Sequence, residues 1–207
     1  MTALSSVVKD AERAAAIIAR IRALAKKAPP QKDWLDLNET IAEVIAMARS
    51  EVQRNRVLLQ TKLANDLLMI LGDKIQLQQV ILNLLMNAIE AMGGVGEGPR
   101  ELGIGSEKVT EIHAKPKQER YEDRALADAE WTHVLVAVRD SGPGLDPQGL
   151  GRLFDAFYTT KPTGLGMGLA ISRSIIEAHG GRLWATANAP RGTVFQFTLP
   201  IRDVKMS

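Results

Sequence analysis

The sequence predicts a two-layer α/β sandwich, a mixed sheet covered by helices, preceded by one coiled-coil-like helix. Three stretches predict it. A long helical pattern from Asp73 to Met92 has one broad apolar side. The segment THVLVAVRD (Thr132 to Asp140) is apolar on both faces, as in a strand inside a sheet or covered on both sides. RLWATAN and TVFQFTL, joined by Ala189 to Gly192, make a terminal hairpin in which Phe195, Phe197 and Leu199 face one way.

The elements follow in order. Leu4, Val7, Ala11, Ala14, Ile18, Ile21 and Ala25 recur at alternating spacings of three and four, a heptad seam that needs a partner helix. Pro29-Pro30 ends it, so residues 1–30 read as a helical stalk and 31–207 as the main domain. Ile41, Val44, Ile45, Ala48 and Val52 give a helix from Asn38, its expected cap, to about Gln53. VLLQTKLANDLLMILGD (Val57 to Asp73) reads as two short strands split at Ala64-Asn65-Asp66. Asp73 and Gln76 resemble a capping box for the next helix, which Gly93-Gly94 stops. Residues 95–131 are irregular: ELGIGSEKVTEI could be a strand, and KPKQERYEDRALADAE is a charged excursion in a long hairpin. After a glycine-rich stretch, Leu169 to His179 is a helix stopped by Gly180-Gly181.

Of the 207 residues 45% are hydrophobic, ample for a packed core, and 26 Lys and Arg face 24 Asp and Glu, a formal charge of +2. No run of like charge marks a nucleic-acid partner or a polybasic membrane anchor. The absence of cysteine excludes disulfides, thiolate nucleophiles and Cys-ligated metals, and fits a reducing compartment. No apolar run approaches the roughly 20 residues that span a bilayer, and the first residues do not form a signal peptide. A cytoplasmic location without membrane contact is expected.

Three patterns carry chemistry. Opposite the apolar side of the Asp73 helix runs a stripe of Gln76, Gln79, Asn83, Asn87 and Glu90. Amides are middling to poor helix formers. The stripe is either a solvated outer face or a set of neutral oxygens aimed at a cation already held by phosphates, which suits Mg²⁺. Asp140 ends an apolar strand before Ser-Gly-Pro-Gly: a turn aspartate, or a carboxylate at the mouth of an apolar slot that accepts from an exocyclic amine, with Gly142 and Gly144 admitting a flat ring. Gly164-Leu-Gly-Met-Gly168 directly precedes a helix, whose positive end and amides can bind anionic oxygens. By itself the spacing is weak, and it fits neither the dinucleotide fingerprint nor a P-loop.

Together these stretches resemble the sensor histidine kinases. QQVILNLLMNAIEAM is similar to their N box, RDSGPGL to the first glycine box, LFDAFYTTK to the F box, GLGMGLAIS to the second glycine box and GGRLWATANAPRGTVFQFTLP to the last box. The resemblance covers roughly Asp36 to Pro200, and TTKPTGLGMGLAISRSIIEAHGGRLWA is most similar to kinases coupled to PAS sensor domains. It implies a Bergerat-type ATP-binding fold and a catalytic domain that uses ATP and Mg²⁺. Asn87 would ligate Mg²⁺, and Asn83 would stand where related chaperone, gyrase and mismatch-repair ATPases carry a glutamate base. Asp140 would accept from the adenine amine, Gly142 and Gly144 would shape its pocket, and Thr193 would help hold the base. Phe154 and Phe157 would anchor a mobile lid. Thr159, Thr160, Lys161, the amides of Gly164, Gly166 and Gly168, and Leu169 at the helix start would complete the phosphate end, with Asn83, Asn87 and Lys161 serving transfer. Gln79 is a weaker candidate that supports the helix.

One departure stands out. Kinases of this kind carry an acceptor histidine on the first helix of a dimerising hairpin, whereas His113 lies in the irregular region, His133 begins a strand and His179 ends a helix. The Leu4 to Ala25 seam then reads as the second helix of that hairpin, and the chain as part of a longer kinase unable to phosphorylate itself. The implied partners are the phosphoacceptor helix and a response-regulator receiver domain.

Overall fold

A computed structural model of the protein describes residues 32–67, 69–93, 98–110, 132–146, 149–159 and 165–201. By its internal packing the chain divides into Met1–Gln31 and Lys32–Ser207. The first unit, with the heptad seam, lies outside the described residues, as do His113 and most of the charged excursion.

Strand β1 (Asp33–Leu35) leads into helix α1 (Leu37–Arg54), then β2 (Leu58–Lys62), β3 (Ile70–Gly72) and helix α2 (Lys74–Gly93). Strands β4 (Glu101–Val109) and β5 (His133–Asp140) follow. After a 3-10 turn at Leu150–Arg152, helix α3 (Gly168–Ala178) precedes the hairpin β6 (Arg182–Ala187) and β7 (Thr193–Pro200). The main sheet has the order β2-β4-β5-β7-β6, with β2 parallel to β4 and the other neighbours antiparallel. Strand β5 is central, bonded to β4 and β7, which explains why its sequence is apolar on both faces.

Alternation in the sheet selects the core. Leu102 and Ile104 of β4, Val134, Val136 and Val138 of β5, and Phe195, Phe197 and Leu199 of β7 are buried with residues of all three helices. From α2 come Leu77, Val80, Ile81, Leu84, Leu85, Ala88, Ile89 and Met92, the side foreseen from its period. Leu135, of opposite parity on β5, joins Val109 and Trp184 in a separate small cluster. Helices on one side of a mixed sheet give the expected two-layer α/β architecture.

The local expectations need three corrections. The cap of α1 is Asp36, not Asn38: its Oδ1 accepts from the amides of Asn38 (2.8 Å) and Glu39 (3.2 Å). Asn38 instead donates to Ala64 O and accepts from Ser106 Oγ, tying the helix to the sheet. The two strands after Val57 both form, but β3 leaves the main sheet and pairs antiparallel with β1, a three-residue strand too short to show a period. At α2, Asp73 Oδ1 accepts from Gln76 N–H at 3.1 Å, yet the N–H of Asp73 donates to His179 Nε2 at 2.9 Å, so an imidazole from the far end of α3 takes the place of the Gln76 side chain.

That imidazole must be neutral, because Nε2 accepts while Nδ1 lies 2.8 Å from Ile175 O, to which it donates. His179 is buried. Burial holds its pKa below the ordinary 6.5; the Ile175 carbonyl opposes this, Lys32 adds to it and Asp73 opposes it. An unfolded chain therefore takes up this proton first, and the stability present above the unfolded value is lost as pH falls through 6.5 towards the lower folded value. Acidification from about pH 7 to about pH 5.5 should lower the unfolding temperature more in the wild type than in His179→Gln. Superimposable pH profiles in thermal unfolding would remove His179 as the source. Among the described residues, no helix is long and apolar enough to cross a membrane.

Candidate functional site

The amide stripe of α2 is not a solvated face. Gln76, Gln79, Asn83 and Asn87 are half-buried, and only Glu90 at its end is exposed. What lies against it is the start of α3. Asn83 Nδ2 donates to Ser172 Oγ at 3.0 Å, and a Cβ on Gly168 would sit 2.5 Å from Asn83 Oδ1. Gly168 is therefore a glycine because the Asn83 carboxamide occupies the side-chain space, a reason distinct from phosphate approach. Asn87 lies one turn further along the same side of α2.

Asp140 closes the central strand with its side chain on the helix side, in line with Val134, Val136 and Val138. It is 2% exposed, and its Oδ1 accepts from the amides of Gly142 (2.8 Å) and Thr193 (3.2 Å). Burial pushes its pKa above the usual carboxylate value, and the two N–H donors pull it back. A Cβ on Gly142 would meet Asp140 Oδ1 at 2.8 Å, and one on Gly192 would run into the Asp140 carbonyl. Gly144 lies beside Gly192, and Asn188 Nδ2 donates to Asp140 O at 2.9 Å. The strand end, the first glycine loop and the β6–β7 turn thus converge on one carboxylate. Asn188 and Gly192 were not singled out in the sequence; the Gly192-Thr193 pair at the start of β7 was the available signal for Gly192.

Between the glycine clusters, Phe154 is half-buried with the Arg173 guanidinium 5.7 Å from its ring centre, and Arg152 stands 4.8 Å over the Tyr158 ring. Phe157 differs: its ring is 74% exposed and its φ is +69°. What ties it is the backbone, its N–H donating to Gly166 O at 3.0 Å. Gly166 has φ +66°, and a Cβ there would collide with Phe157 and Tyr158. Phe154 is the packed anchor, whereas Phe157 joins the two ends of the segment through its main chain. Thr159 is exposed and Leu169 packs on the core. Thr160, Lys161 and Gly164 lie outside the described residues.

Helix α3 starts at Gly168 with no side-chain cap from Met167, and the Asn83 carboxamide lies beside that end, which carries the helix's positive partial charge. A cavity of about 610 Å³ lies across the strands, lined by Gln60, Lys62, Gly103, Ala137 and Arg139 among others. Of the predicted site residues only Asp140 lines it; neither Asn83, Asn87 nor the second glycine cluster does, so it is not the cleft these residues define.

Residues 72–203 match the family described as histidine kinase-, DNA gyrase B-, and HSP90-like ATPase, and the chain belongs to that family. Within it, the chain is similar to sensor histidine kinases. It is 36% identical over 199 residues to the sensor histidine kinase TmoS of Ectopseudomonas mendocina (96% of this chain, 18% of the relative). It is 36% identical over 202 residues to the sensor protein FixL of Bradyrhizobium diazoefficiens (98% and 36%). Among solved structures, the catalytic domain of histidine kinase ThkA aligns with a TM-score of 0.65 at 31% identity, covering 82% of this chain and 95% of that one. ThkA in complex with the response regulator protein TrrA aligns with a TM-score of 0.71 at 27% identity, covering 95% and 49%. The chain spans 18% of TmoS and 36% of FixL, well under half of either relative.

Proposed function

We propose that this chain is the kinase module of a longer, cytoplasmic sensor histidine kinase, binding Mg²⁺-ATP between α2, the first glycine loop and α3. Its γ-phosphoryl group goes to a histidine on a dimerisation helix that is not part of this chain, and from there to a response-regulator receiver domain. The observation that carries this reading is Asp140, buried at the end of the central strand with one carboxylate oxygen held by two backbone amides. A carboxylate fixed in this way is a directional acceptor for the exocyclic amine of adenine. Similarity to sensor kinases, one of them solved with a response regulator, supports the reading.

Each remaining residue follows from its place. Gly142 and Gly144 leave the backbone bare beside the base, and Thr193 fixes Asp140 from the opposite side. The amides of Gly166 and Gly168, with Leu169 at the head of α3, meet the phosphates; by resemblance to the family's boxes, Thr159, Thr160, Lys161 and the Gly164 amide belong to the same phosphate end. Asn87 offers a neutral amide oxygen, suited to a hard cation whose other ligands are phosphate and water. When bound, Mg²⁺ offsets charge on the phosphates. Asn83 has no carboxylate to deprotonate water, whereas a neutral imidazole needs no base to attack phosphorus. The site therefore favours transfer to histidine over hydrolysis.

The test mixes this chain with the histidine-bearing dimerisation hairpin of its own full-length protein and ATP labelled on the γ-phosphate. Acid-labile label should reach the hairpin. Mg²⁺-ATP binding without any transfer would point to a nucleotide-sensing scaffold. Steady ATP turnover lost in Asn83→Ala would point to a hydrolysing ATPase.

A further inference from the structure

We propose that Ser172 is a positioning residue for Asn83, locking its carboxamide with the nitrogen towards α3 and the oxygen towards the head of that helix. The inference rests on the nucleotide-binding reading above and adds a residue to it.

Ser172 is 2% exposed on a helix whose other buried residues are Ile171 and Ile176. A hydroxyl in such a place is destabilising unless paired, and its Oγ lies 3.0 Å from Asn83 Nδ2. A hydroxyl can donate or accept, so Ser172 by itself would tolerate either orientation of the amide. The head of α3 removes the ambiguity. Asn83 Oδ1 is the atom that a Cβ on Gly168 would meet at 2.5 Å, and Gly168 is the first residue of α3. That end carries amides without helical acceptors and a positive partial charge, and Met167 supplies no capping side chain. An amide oxygen is attracted there and an NH₂ group is repelled. The serine one turn along then accepts from the nitrogen, and both contacts select the same flip.

The consequence is chemical as well as structural. With one N–H given to Ser172, the flip of Asn83 is fixed and its oxygen is the atom turned to the head of α3, where it is available to a cation's water shell. The contact also joins α2, which carries Asn87, to the helix whose first amides face the phosphates, so the metal end and the phosphate end keep one spacing.

Two measurements test this. In the ligand-free protein, the Asn83 side-chain amide hydrogen given to Ser172 should exchange slowly with solvent by NMR in the wild type and rapidly in Ser172→Ala. Calorimetry should show Ser172→Ala weakening Mg²⁺-ADP binding about 5–10-fold, the size expected for one hydrogen bond, with metal-free ADP binding within about twofold of wild type. Ser172→Thr, which keeps the hydroxyl, should restore both readouts, and Ser172→Cys, close in volume but a poor acceptor, should behave as Ser172→Ala. The double variant with Asn83→Ala should bind like Asn83→Ala alone. Unchanged amide exchange, equal losses with and without Mg²⁺, or additive losses in the double variant would each overturn the inference. Wild-type protein that binds neither ADP form would instead overturn the nucleotide-binding reading, while the exchange experiment would still decide the role of Ser172.

Discussion

Asp140→Asn is expected to fold normally and to weaken ATP binding about 100-fold, measured by calorimetry on wild type and variant. The substitution keeps an oxygen that can accept from Gly142 N–H and Thr193 N–H, so the loop and the β7 start remain braced. It replaces the second carboxylate oxygen with an NH₂ group, which meets the adenine amine donor to donor. A charge-assisted hydrogen bond is lost and a repulsion replaces it; together these amount to about 2–3 kcal/mol, or one to two orders of magnitude in affinity. Stability should move the other way. Burial raises the folded pKa of Asp140, so this group favours the folded state most below its unfolded value and less as pH rises and the carboxylate must ionise in place. At neutral pH a neutral amide should therefore raise the unfolding temperature or leave it unchanged. Binding lost with stability kept marks a residue retained for its ligand; binding within twofold of wild type would remove Asp140 from the base pocket.

Asn87→Ala is expected to erase the advantage that Mg²⁺ gives to nucleotide binding, a loss of about 10–100-fold confined to the metal-containing titration. Alanine is the better helix former by up to about 0.7 kcal/mol, so a general failure of α2 is not expected. Asn87 is half-buried, one turn further along the same side of α2 as Asn83, whose carboxamide touches the head of α3. ADP without metal should bind both proteins alike. Equal losses in the two titrations would assign Asn87 to packing and not to the cation.

The long periodic elements were legible because burial leaves a repeating mark. The apolar side of α2 matches its buried residues one for one, and Phe195, Phe197 and Leu199 enter the core as the alternation of β7 requires. Strand β1 was not legible: three residues hold no period, and Asp33–Leu35 is extended because β3 lies beside it. The cap of α1 was misassigned, and the box at α2 was only half right, for a related reason. Asp36, Asn38 and Gln76 all fit local rules, and the choice among them fell to Ala64, Ser106 and His179, partners 26 to 106 residues away.

By itself, the order of its glycine, amide and aromatic stretches determined the family of this chain, because each chemical task restricts which residue types can perform it. Only the tertiary structure decided how the residues of those stretches support one another. Asn83 reaches Ser172 and excludes a side chain from Gly168, Asp140 is gripped from both the first glycine loop and β7, and Phe157 turns its ring outward while its backbone bonds Gly166. These contacts join segments far apart in the chain, and no pattern within either segment encodes the distance between them.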